Sequence, residues 1–181
     1  MSIQFKITNS EVIRGVKIVR PSVSEDTRGT IWTSYLEDDL NNILPNNLSF
    51  KHDKFSESKR NVLRGIHGDV KTWKLVTSVY GEIYQVAIDC RKDSNTYGKW
   101  QSFTINKTKQ NLILIPPGVG NAYYVKSKFA VYHYKLAYLE SYNDVDNQFT
   151  MAWNNNLFNI QWPCDNPILS ERDSLNRITN Q

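Results

Sequence analysis

Apolar and polar positions alternate in short runs along most of the chain, and these runs predict β-strands. The runs are rich in Val, Ile, Tyr, Trp and Thr and are separated by turn residues, which is typical of a β-sandwich or barrel. They are GVKIVRP from Gly15, GTIWTSYL from Gly29, NVLRGIHGD from Asn61, WKLVTSVYGEIYQVAIDC from Trp73, WQSFTI from Trp100, NLILIPP from Asn111, NAYYVKS from Asn121, FAVYHYKLAYL from Phe129 and FTMAW from Phe149. Gly81 predicts a hairpin turn within the run that starts at Trp73.

Two stretches predict short helices. Apolar residues recur at helical spacing from Leu36 to Leu44, and Pro45 ends that pattern. The run Ser170–Asp173 has the form of a capping box, which predicts a helix through Leu175 and Ile178. Strands and helices do not alternate, and no repeat or linker divides the chain. We therefore predict one domain over residues 1–181 that is mainly β, with a few short peripheral helices.

Length and composition argue against a membrane-spanning or disordered protein. The chain has 181 residues, of which 40% are hydrophobic and 22% are charged, as is ordinary for one globular domain. Its longest apolar runs are far shorter than a bilayer span, and the N-terminal segment lacks the apolar core of a secretion signal. Two cysteines cannot make a disulfide framework, so we expect a cytoplasmic protein without a membrane partner.

The net charge of +4 suits an anionic ligand. A nucleic-acid-binding protein usually gathers its basic side chains on one stripe or helix, whereas here they are scattered. The densest basic group is interrupted by Asp53 and Glu57, so it is either a phosphate-facing surface or, as is commoner, a solvated face. Its members are Lys51, Lys54, Lys59, Arg60 and Arg64. We predict no nucleic-acid partner.

The sequence has no phosphate-binding loop and no zinc-protease motif. The run from Gly118 to Tyr123 lacks the third glycine of a dinucleotide fingerprint and lies in a predicted strand. The only histidines are His52, His67 and His133, so a three-histidine metal site would need all of them. Carboxylates could complete a site with fewer histidines, yet no positive sign of a metal is present. We predict neither a metal nor a cofactor.

His67 is the most informative candidate for chemistry. It follows Arg64 by three residues in the run NVLRGIHGD. The two residues have opposite strand parity, so a common ligand would require a bend at Gly65. Histidine titrates near neutral pH and is a natural general base. The residues alone nevertheless favour the alternative, a hydrogen-bonded structural histidine.

Three other residues have both a chemical and a structural interpretation. Alternation places Tyr134 on one face of its strand with Tyr132 and Leu136, where it is either part of the core or a general acid. Lys74 lies within a strand, so it either points outward or meets an anion. Asp173 belongs to the capping box, where a carboxylate needs no catalytic role.

Taken together, these segments resemble the RmlC-type epimerases, the dTDP-4-dehydrorhamnose 3,5-epimerase family. The resemblance extends from about Gly15 to Asp173, and its motifs follow the order of the family. They are EDTRG from Glu25, NVLRGIH from Asn61, KLV from Lys74, GEIYQVAID from Gly81, TYGKW from Thr96, LIPPG from Leu114, YKLAY from Tyr134 and NPILSERD from Asn166. The resemblance implies a dimeric, metal-free jelly-roll of the cupin kind. It also implies an isomerase that acts on a nucleotide-diphosphate 4-keto sugar without a cofactor.

The resemblance also implies roles for single residues. The implied catalytic residues are the base His67, its carboxylate partner Asp173, the acid Tyr134, and Lys74, which would stabilise an enolate. Arg28 and Arg64 are implied to bind the substrate and its diphosphate. A ketone at C4 acidifies the hydrogens on C3 and C5, because the carbanion delocalises onto oxygen as an enolate. Removal of a proton from one face and its return on the other would invert the carbon.

Two motifs depart from the family's usual pattern. In PPGVGNA, Asn121 stands where a histidine is usual, so a titrating group is lost. The KHDKFSES stretch, expected near the nucleotide, has His52, Lys54 and Phe55 in place of Gln, Asn and His. We expect Asn121, Lys54 and His52 to bind substrate. The stretch GIHGDVKTWKLV resembles the corresponding stretch of family branches that act on GDP-linked 4-keto-heptoses in capsule pathways. We therefore expect the nucleotide of the substrate to be GDP rather than dTDP.

Three functions remain open from the sequence. The first is an epimerase acting at C3, C5 or both. The second is a related cupin ketoisomerase, which moves the carbonyl from C4 to C3. The motifs of that family would not include both Tyr134 and the C-terminal motif that ends in Asp173. The third is a non-catalytic sugar-nucleotide binding module. Only Asn121 favours that module, and the retention of the implied catalytic residues argues against it.

Overall fold

Two antiparallel β-sheets face each other and enclose most of the apolar side chains. The computed structural model describes residues 3–142 and 147–175. In chain order the strands are β1 (Phe5–Asn9), β2 (Lys17–Pro21), β3 (Val23–Asp26), β4 (Gly29–Trp32), β5 (Phe50–Lys59), β6 (Leu63–Gly68), β7 (Trp73–Tyr80), β8 (Ile83–Asp89), β9 (Trp100–Ile105), β10 (Leu112–Ile115), β11 (Val119–Val125), β12 (Phe129–Ala137) and β13 (Phe149–Thr150). The helices are α1 (Glu37–Leu40), which a 3-10 turn (Asn41–Ile43) follows, and α2 (Glu171–Ser174).

The strand order is that of a jelly-roll sandwich. One sheet has six strands in the order β1-β2-β10-β7-β12-β5, and the facing sheet has five in the order β13-β6-β11-β8-β9. From β5 to β8 consecutive strands alternate between the sheets, so the chain crosses the sandwich at each connection. Among the described strands, β3 and β4 pair only with each other, as a separate hairpin. The predicted mainly-β, cupin-type fold with short peripheral helices is confirmed.

The turn at Gly81 joins the two sheets, so the predicted hairpin was wrong. β7 ends at Tyr80 in the six-stranded sheet, and β8 begins at Ile83 in the five-stranded sheet. Gly81 has a φ of +83°, and a Cβ added there would lie 2.1 Å from the Phe129 carbonyl oxygen. Glycine is required because the backbone turns in a left-handed conformation against a neighbouring strand. Alternation along a strand does not reveal which sheet the strand joins.

Both predicted helices exist, but each is a single turn and shorter than predicted. No side chain caps α1 at Leu36. In α2 the Ser170 hydroxyl oxygen accepts the Asp173 N–H, as the capping box predicts. This helix ends before Leu175, whose backbone is extended, and the predicted continuation to Ile178 lies outside the described residues. No helix in the described ranges is long and apolar enough to cross a bilayer.

The main apolar core fills the space between the sheets. Its central side chains are Val76, Ile113 and Tyr132 from the six-stranded sheet and Ile83, Val119 and Tyr123 from the five-stranded sheet. The outer faces are covered as well, by Leu40 and Leu44 on one sheet and by Phe158 on the other. Central strands such as β10 are therefore buried on both faces, which explains why that run is continuously apolar.

A buried carboxylate anchors the connection between β8 and β9. Asp89 accepts hydrogen bonds of 2.5–2.8 Å from the Arg91 guanidinium and from the hydroxyls of Ser94 and Thr96. Burial alone would raise the pKa of Asp89, but these bonds outweigh it and lower the pKa to about 2. The ionised carboxylate is therefore more stable in the folded chain than in the unfolded one.

We expect Asp89→Asn to destabilise the fold at neutral pH by about 2 kcal/mol, because the charge that the four donors stabilise is lost. A lowered folded pKa contributes stability above the ordinary carboxyl pKa of about 4, and this contribution disappears as the pH falls from about 4 to about 2. Urea unfolding of both proteins between neutral pH and pH 2 measures it. The two free energies of unfolding should converge at low pH, and a constant difference would contradict this account.

Candidate active site

Polar side chains from both sheets converge on one cavity of about 260 Å³. The five-stranded sheet contributes Arg64, His67 and Asn121, and the six-stranded sheet contributes Lys54, Lys74 and Tyr134. Asp173 reaches the cavity from α2. The volume lies just below the usual range of about 300–1,000 Å³ for small-molecule sites. All the site residues expected from the sequence meet here except Arg28 and His52.

Gly65 allows Arg64 and His67 to reach the same cavity. It has a φ of +117°, and a Cβ added there would lie 2.5 Å from the Asn121 carbonyl oxygen. The pairing of β6 with β11 shifts register between Asn121 and Tyr123, opposite this point. An irregularity of this kind changes the alternation of side chains along a strand. The bend that the sequence required for a common ligand is therefore present.

His67 is bonded to a buried carboxylate. Its Nε2 lies 2.5 Å from Asp173 Oδ1, and Asp173 is only 4% exposed. The Gly65 N–H donates to Asp173 Oδ2 at 3.4 Å. Burial would raise the pKa of Asp173, but the bonds from His67 and Gly65 outweigh burial and hold the pKa below its ordinary value. An ionised carboxylate accepts the Nε2–H, which leaves Nδ1 of His67 to take a proton.

Tyr134 faces this pair from the opposite sheet. Its ring meets Tyr132 edge-on, with centroids 4.6 Å apart, and Tyr132 stacks on Tyr123 at 4.1 Å. This packing fixes the position of the phenol. Burial raises the pKa of the Tyr134 hydroxyl above its ordinary value, so the group keeps its proton at neutral pH. A protonated hydroxyl across a cavity from a free imidazole nitrogen suits general acid–base catalysis.

Lys74 points inward, which excludes the outward alternative. The side chain is buried, and its Nζ lies 3.5 Å from Asp69 Oδ2. The backbone N–H groups of Lys71 and Thr72 donate to Asp69 Oδ1 at 2.9 and 2.7 Å, which fixes that carboxylate. Burial lowers the pKa of the Lys74 amine, and the charge of Asp69 opposes this effect. The Lys74 amine forms part of the cavity wall, and the Asp69 carboxylate lies behind it.

Arg172 also lines the cavity and was not predicted. Its Nε donates to Thr150 Oγ1 at 2.7 Å, and its Nη2 is buried without a hydrogen-bond partner among the described residues. The available signal was its place directly before Asp173 in the motif NPILSERD. The described lining residues include one carboxylate, Asp173, and four basic side chains: Lys54, Arg64, Lys74 and Arg172. Such a positive cavity attracts a polyanionic ligand.

Two expected site residues lie outside the cavity of a single chain. Arg28 sits at the turn of the β3–β4 hairpin, where its side chain is 88% exposed and pairs with Asp26 at 2.5 Å. The hairpin itself is separate from both large sheets, which explains why Arg28 does not reach the site. His52 is at the rim, because its ring centroid lies 4.9 Å from that of Tyr142, a lining residue.

The three histidines have different surroundings. His67 lines the cavity and His52 lies at its rim. His133 points away from the cavity, on the face of β12 opposite Tyr134, and its Nε2 lies 2.6 Å from Asp53 Oδ1. Within residues 3–142 and 147–175, no group of three or more histidine, cysteine, aspartate or glutamate side chains is arranged to hold a metal ion. No described residue set therefore suggests a metal centre.

Known proteins share both the sequence and the fold of this chain. The model of a family described as dTDP-4-dehydrorhamnose 3,5-epimerase matches residues 10–180. The chain belongs to this family. The resemblance found in the sequence is confirmed, and the protein is an isomerase of the epimerase class.

Individual relatives extend this result. A dTDP-4-dehydrorhamnose 3,5-epimerase of Salmonella typhimurium is 31% identical over 173 residues, 93% of each chain. A dTDP-4-dehydrorhamnose 3-epimerase of Streptomyces niveus is 31% identical over 166 residues, 89% of this chain and 78% of that protein. The crystal structure of a 3,5-epimerase from Legionella pneumophila, in complex with dTDP-4-keto-L-rhamnose, superposes with a TM-score of 0.84 at 29% identity and covers 94% of this chain and 90% of that chain.

We expect GDP and dTDP to raise the melting temperature of this epimerase, and the uncharged nucleosides to have a much smaller effect, because basic side chains line the cavity.

Arg172→Gln should weaken GDP binding roughly tenfold, since a charge-assisted hydrogen bond contributes about 1.5–3 kcal/mol. Calorimetric titration with GDP at low and high salt measures this loss. Lys99→Gln is the matched control, because it removes an exposed positive charge outside the cavity. Equal affinities in the two variants would show that Arg172 does not bind the anion.

Proposed function

We propose that this epimerase inverts C3, C5 or both centres of a nucleotide-diphosphate 4-keto sugar through an enolate. One observation carries the proposal: the His67–Asp173 pair lies on one side of the cavity, and Tyr134 lies on the opposite sheet. A sugar ring between the sheets would present one face to the base and the other to the acid. Proton removal from one face and return on the other inverts a carbon.

The first step takes the proton from a carbon next to the ketone. Nδ1 of His67 accepts the proton, the C–H electron pair becomes a C=C bond, and the carbonyl electron pair moves onto oxygen. Asp173 stabilises the imidazolium through the Nε2–H bond. The Lys74 ammonium supplies positive charge where the enolate oxygen develops, and stabilisation of this kind is usually the largest single contribution to catalysis.

The second step returns a proton from the other side. Tyr134 donates its hydroxyl proton to the carbon, and the oxygen electron pair restores the carbonyl. The raised pKa of Tyr134 makes its phenolate a strong base, so it recovers a proton while His67 releases one to solvent. The C4 ketone of the substrate already acidifies the hydrogens on C3 and C5, so proton transfers alone invert the centre in this mechanism and no redox cofactor takes part.

The preferred substrate in this proposal is a GDP-linked 4-keto-heptose, for capsule or another surface polysaccharide. The alternative is a dTDP- or GDP-linked 4-keto-6-deoxyhexose, and the dTDP sugars named for the relatives support the dTDP form. Lys54 lines the cavity and His52 lies at its rim, where the family's usual pattern has Asn and Gln. Lysine is a favourable donor to the O6 and N7 acceptors of guanine. Phe55 instead stacks on His133 at 4.6 Å and does not line the cavity. The free cysteines Cys90 and Cys164 suit the cytoplasm, where we expect this reaction.

The test is deuterium incorporation. GDP- and dTDP-linked 4-keto-6-deoxyhexoses and a GDP-linked 4-keto-heptose are incubated with the protein in heavy water, and mass spectrometry and proton NMR follow C3 and C5. We expect deuterium at one or both carbons, and the fastest incorporation with a GDP sugar.

His67→Asn, which preserves size and polarity, should slow incorporation roughly 10²–10⁴-fold with little change in GDP affinity. A carbonyl that moves to C3 would indicate the ketoisomerase, and binding without exchange would indicate a non-catalytic module.

We further propose that the epimerase is a homodimer in which the β3–β4 hairpin carries Arg28 to the partner's cavity. Among the described strands, the hairpin pairs with neither large sheet, and its apolar side chains Val23 and Ile31 are exposed. Exposed apolar side chains on an unpaired hairpin are typical of an interaction surface. Arg28 would then complete the positive lining of a neighbouring site.

Subunit complementation tests this arrangement. Arg28→Ala and His67→Asn chains are each expected to be nearly inactive, whereas a mixture that exchanges subunits should regain activity. One cavity of a mixed dimer would have an intact His67 and receive an intact Arg28 from its partner. Deuterium incorporation before and after mixing measures the recovery, and a monomer in analytical ultracentrifugation or no recovery after exchange would contradict the proposal.

A further inference from the structure

Three buried polar side chains form a hydrogen-bonded trio behind the cavity. Gln85 on β8 and Tyr132 on β12 are fully buried, and Asn121 on β11 is 6% exposed. Gln85 Nε2 donates to Asn121 Oδ1 at 2.7 Å and to the Val86 carbonyl oxygen at 3.0 Å. The Tyr132 hydroxyl donates to Gln85 Oε1 at 2.6 Å and lies 3.1 Å from Asn121 Oδ1.

The Val86 carbonyl sets the direction of every bond in this trio. A backbone carbonyl only accepts, so the Gln85 amide must turn its NH2 group towards it. The Gln85 oxygen then faces Tyr132, and burial raises the pKa of that hydroxyl, so it keeps a proton to donate. The second Gln85 N–H needs an acceptor, so Asn121 presents its oxygen to Gln85 and not its nitrogen.

This orientation leaves the Asn121 NH2 group for the cavity. Asn121 lines the cavity and is the cross-strand partner of His67. A hydrogen-bond donor of fixed direction therefore lies beside the base, on the same wall. The trio is uncharged, so this donor does not depend on protonation as a histidine at position 121 would.

We propose that Gln85 is a positioning residue that holds the Asn121 amide as a hydrogen-bond donor to an oxygen of the bound keto sugar. The identity of the ligand rests on the proposed function. With its own oxygen occupied, the amide can only donate, so it favours a carbonyl or enolate oxygen. Such an oxygen gains negative charge as His67 removes the proton, and the bond strengthens in the transition state.

Gln85→Glu reverses the direction of the trio and is the sharpest test. Burial raises the pKa of the introduced carboxyl group, so the variant and the wild type are compared at alkaline pH, where that group is ionised. A carboxylate only accepts, so Asn121 would turn its NH2 group towards residue 85 and its oxygen towards the sugar. We expect kcat/KM for deuterium incorporation to fall roughly 10–100-fold, close to the loss in Asn121→Ala. The double variant should be no slower than Asn121→Ala, because both changes remove the same bond.

Two further variants separate positioning from a general effect on folding. Gln85→Met keeps a similar shape without the amide, so Asn121 loses its fixed direction, and we expect a loss of roughly 3–10-fold. Thr77 lies on β7, and its buried hydroxyl donates to the Asn111 carbonyl oxygen at 2.8 Å. Thr77→Val removes this hydroxyl. This control should lower thermal stability and leave kcat/KM unchanged.

The outcomes distinguish the inference from the function on which it rests. Any of three results would overturn the positioning role. The first is an equal kcat/KM in the wild type and in both Gln85 variants, and the second is additive losses in the double variant. The third is a rate that follows thermal stability in every variant. Each of these results would leave epimerisation intact. Absence of deuterium incorporation by the wild type on every 4-keto sugar would instead overturn the proposed function.

Discussion

A buried negative charge governs the architecture of the active site. Asp173 can remain ionised between α2 and β6 only because protein donors replace the water it has lost. Those donors are His67 Nε2 and the Gly65 N–H, so the same contacts that stabilise the carboxylate fix the tautomer of the imidazole and secure the bend in β6. The capped one-turn helix α2, the irregular strand β6 and the orientation of the His67 imidazole are thus parts of one arrangement.

The positive lining of the cavity has the opposite effect on stability. The basic side chains that line the cavity outnumber its one carboxylate and repel one another where they are charged, and burial works against the charge on Lys74. The rest of the sandwich compensates, through the apolar core between the sheets and through anchors such as Asp89. A site built in this way is stabilised by its ligand, as is common where function and folding place different demands on the same residues.

Local pattern was sufficient for most strands, because an apolar run such as β10 needs only its own residues to be recognised. β5 was not predicted, since it lies at a sheet edge and few of its side chains are buried. The prediction of a hairpin at Gly81 was wrong because alternation does not identify the strand with which another strand pairs.

The site residues were predicted from the family motifs and not from single residues. Taken alone, the residues favoured a structural His67, because its partner is 106 positions away. Arg172 and Gln85 were missed because their importance lies in the side chains they meet.

Chain order has a consequence for when the site becomes competent. Every strand of the described residues precedes α2 in the sequence, and synthesis on the ribosome proceeds from the N-terminus. His67, Lys74 and Tyr134 are therefore made, together with both sheets, before Asp173 is added. A nascent chain at that stage contains all the described strands of both sheets, but His67 does not yet have the carboxylate that it contacts in the folded chain. The contact between His67 and Asp173 can therefore form only after almost the whole described chain has been made.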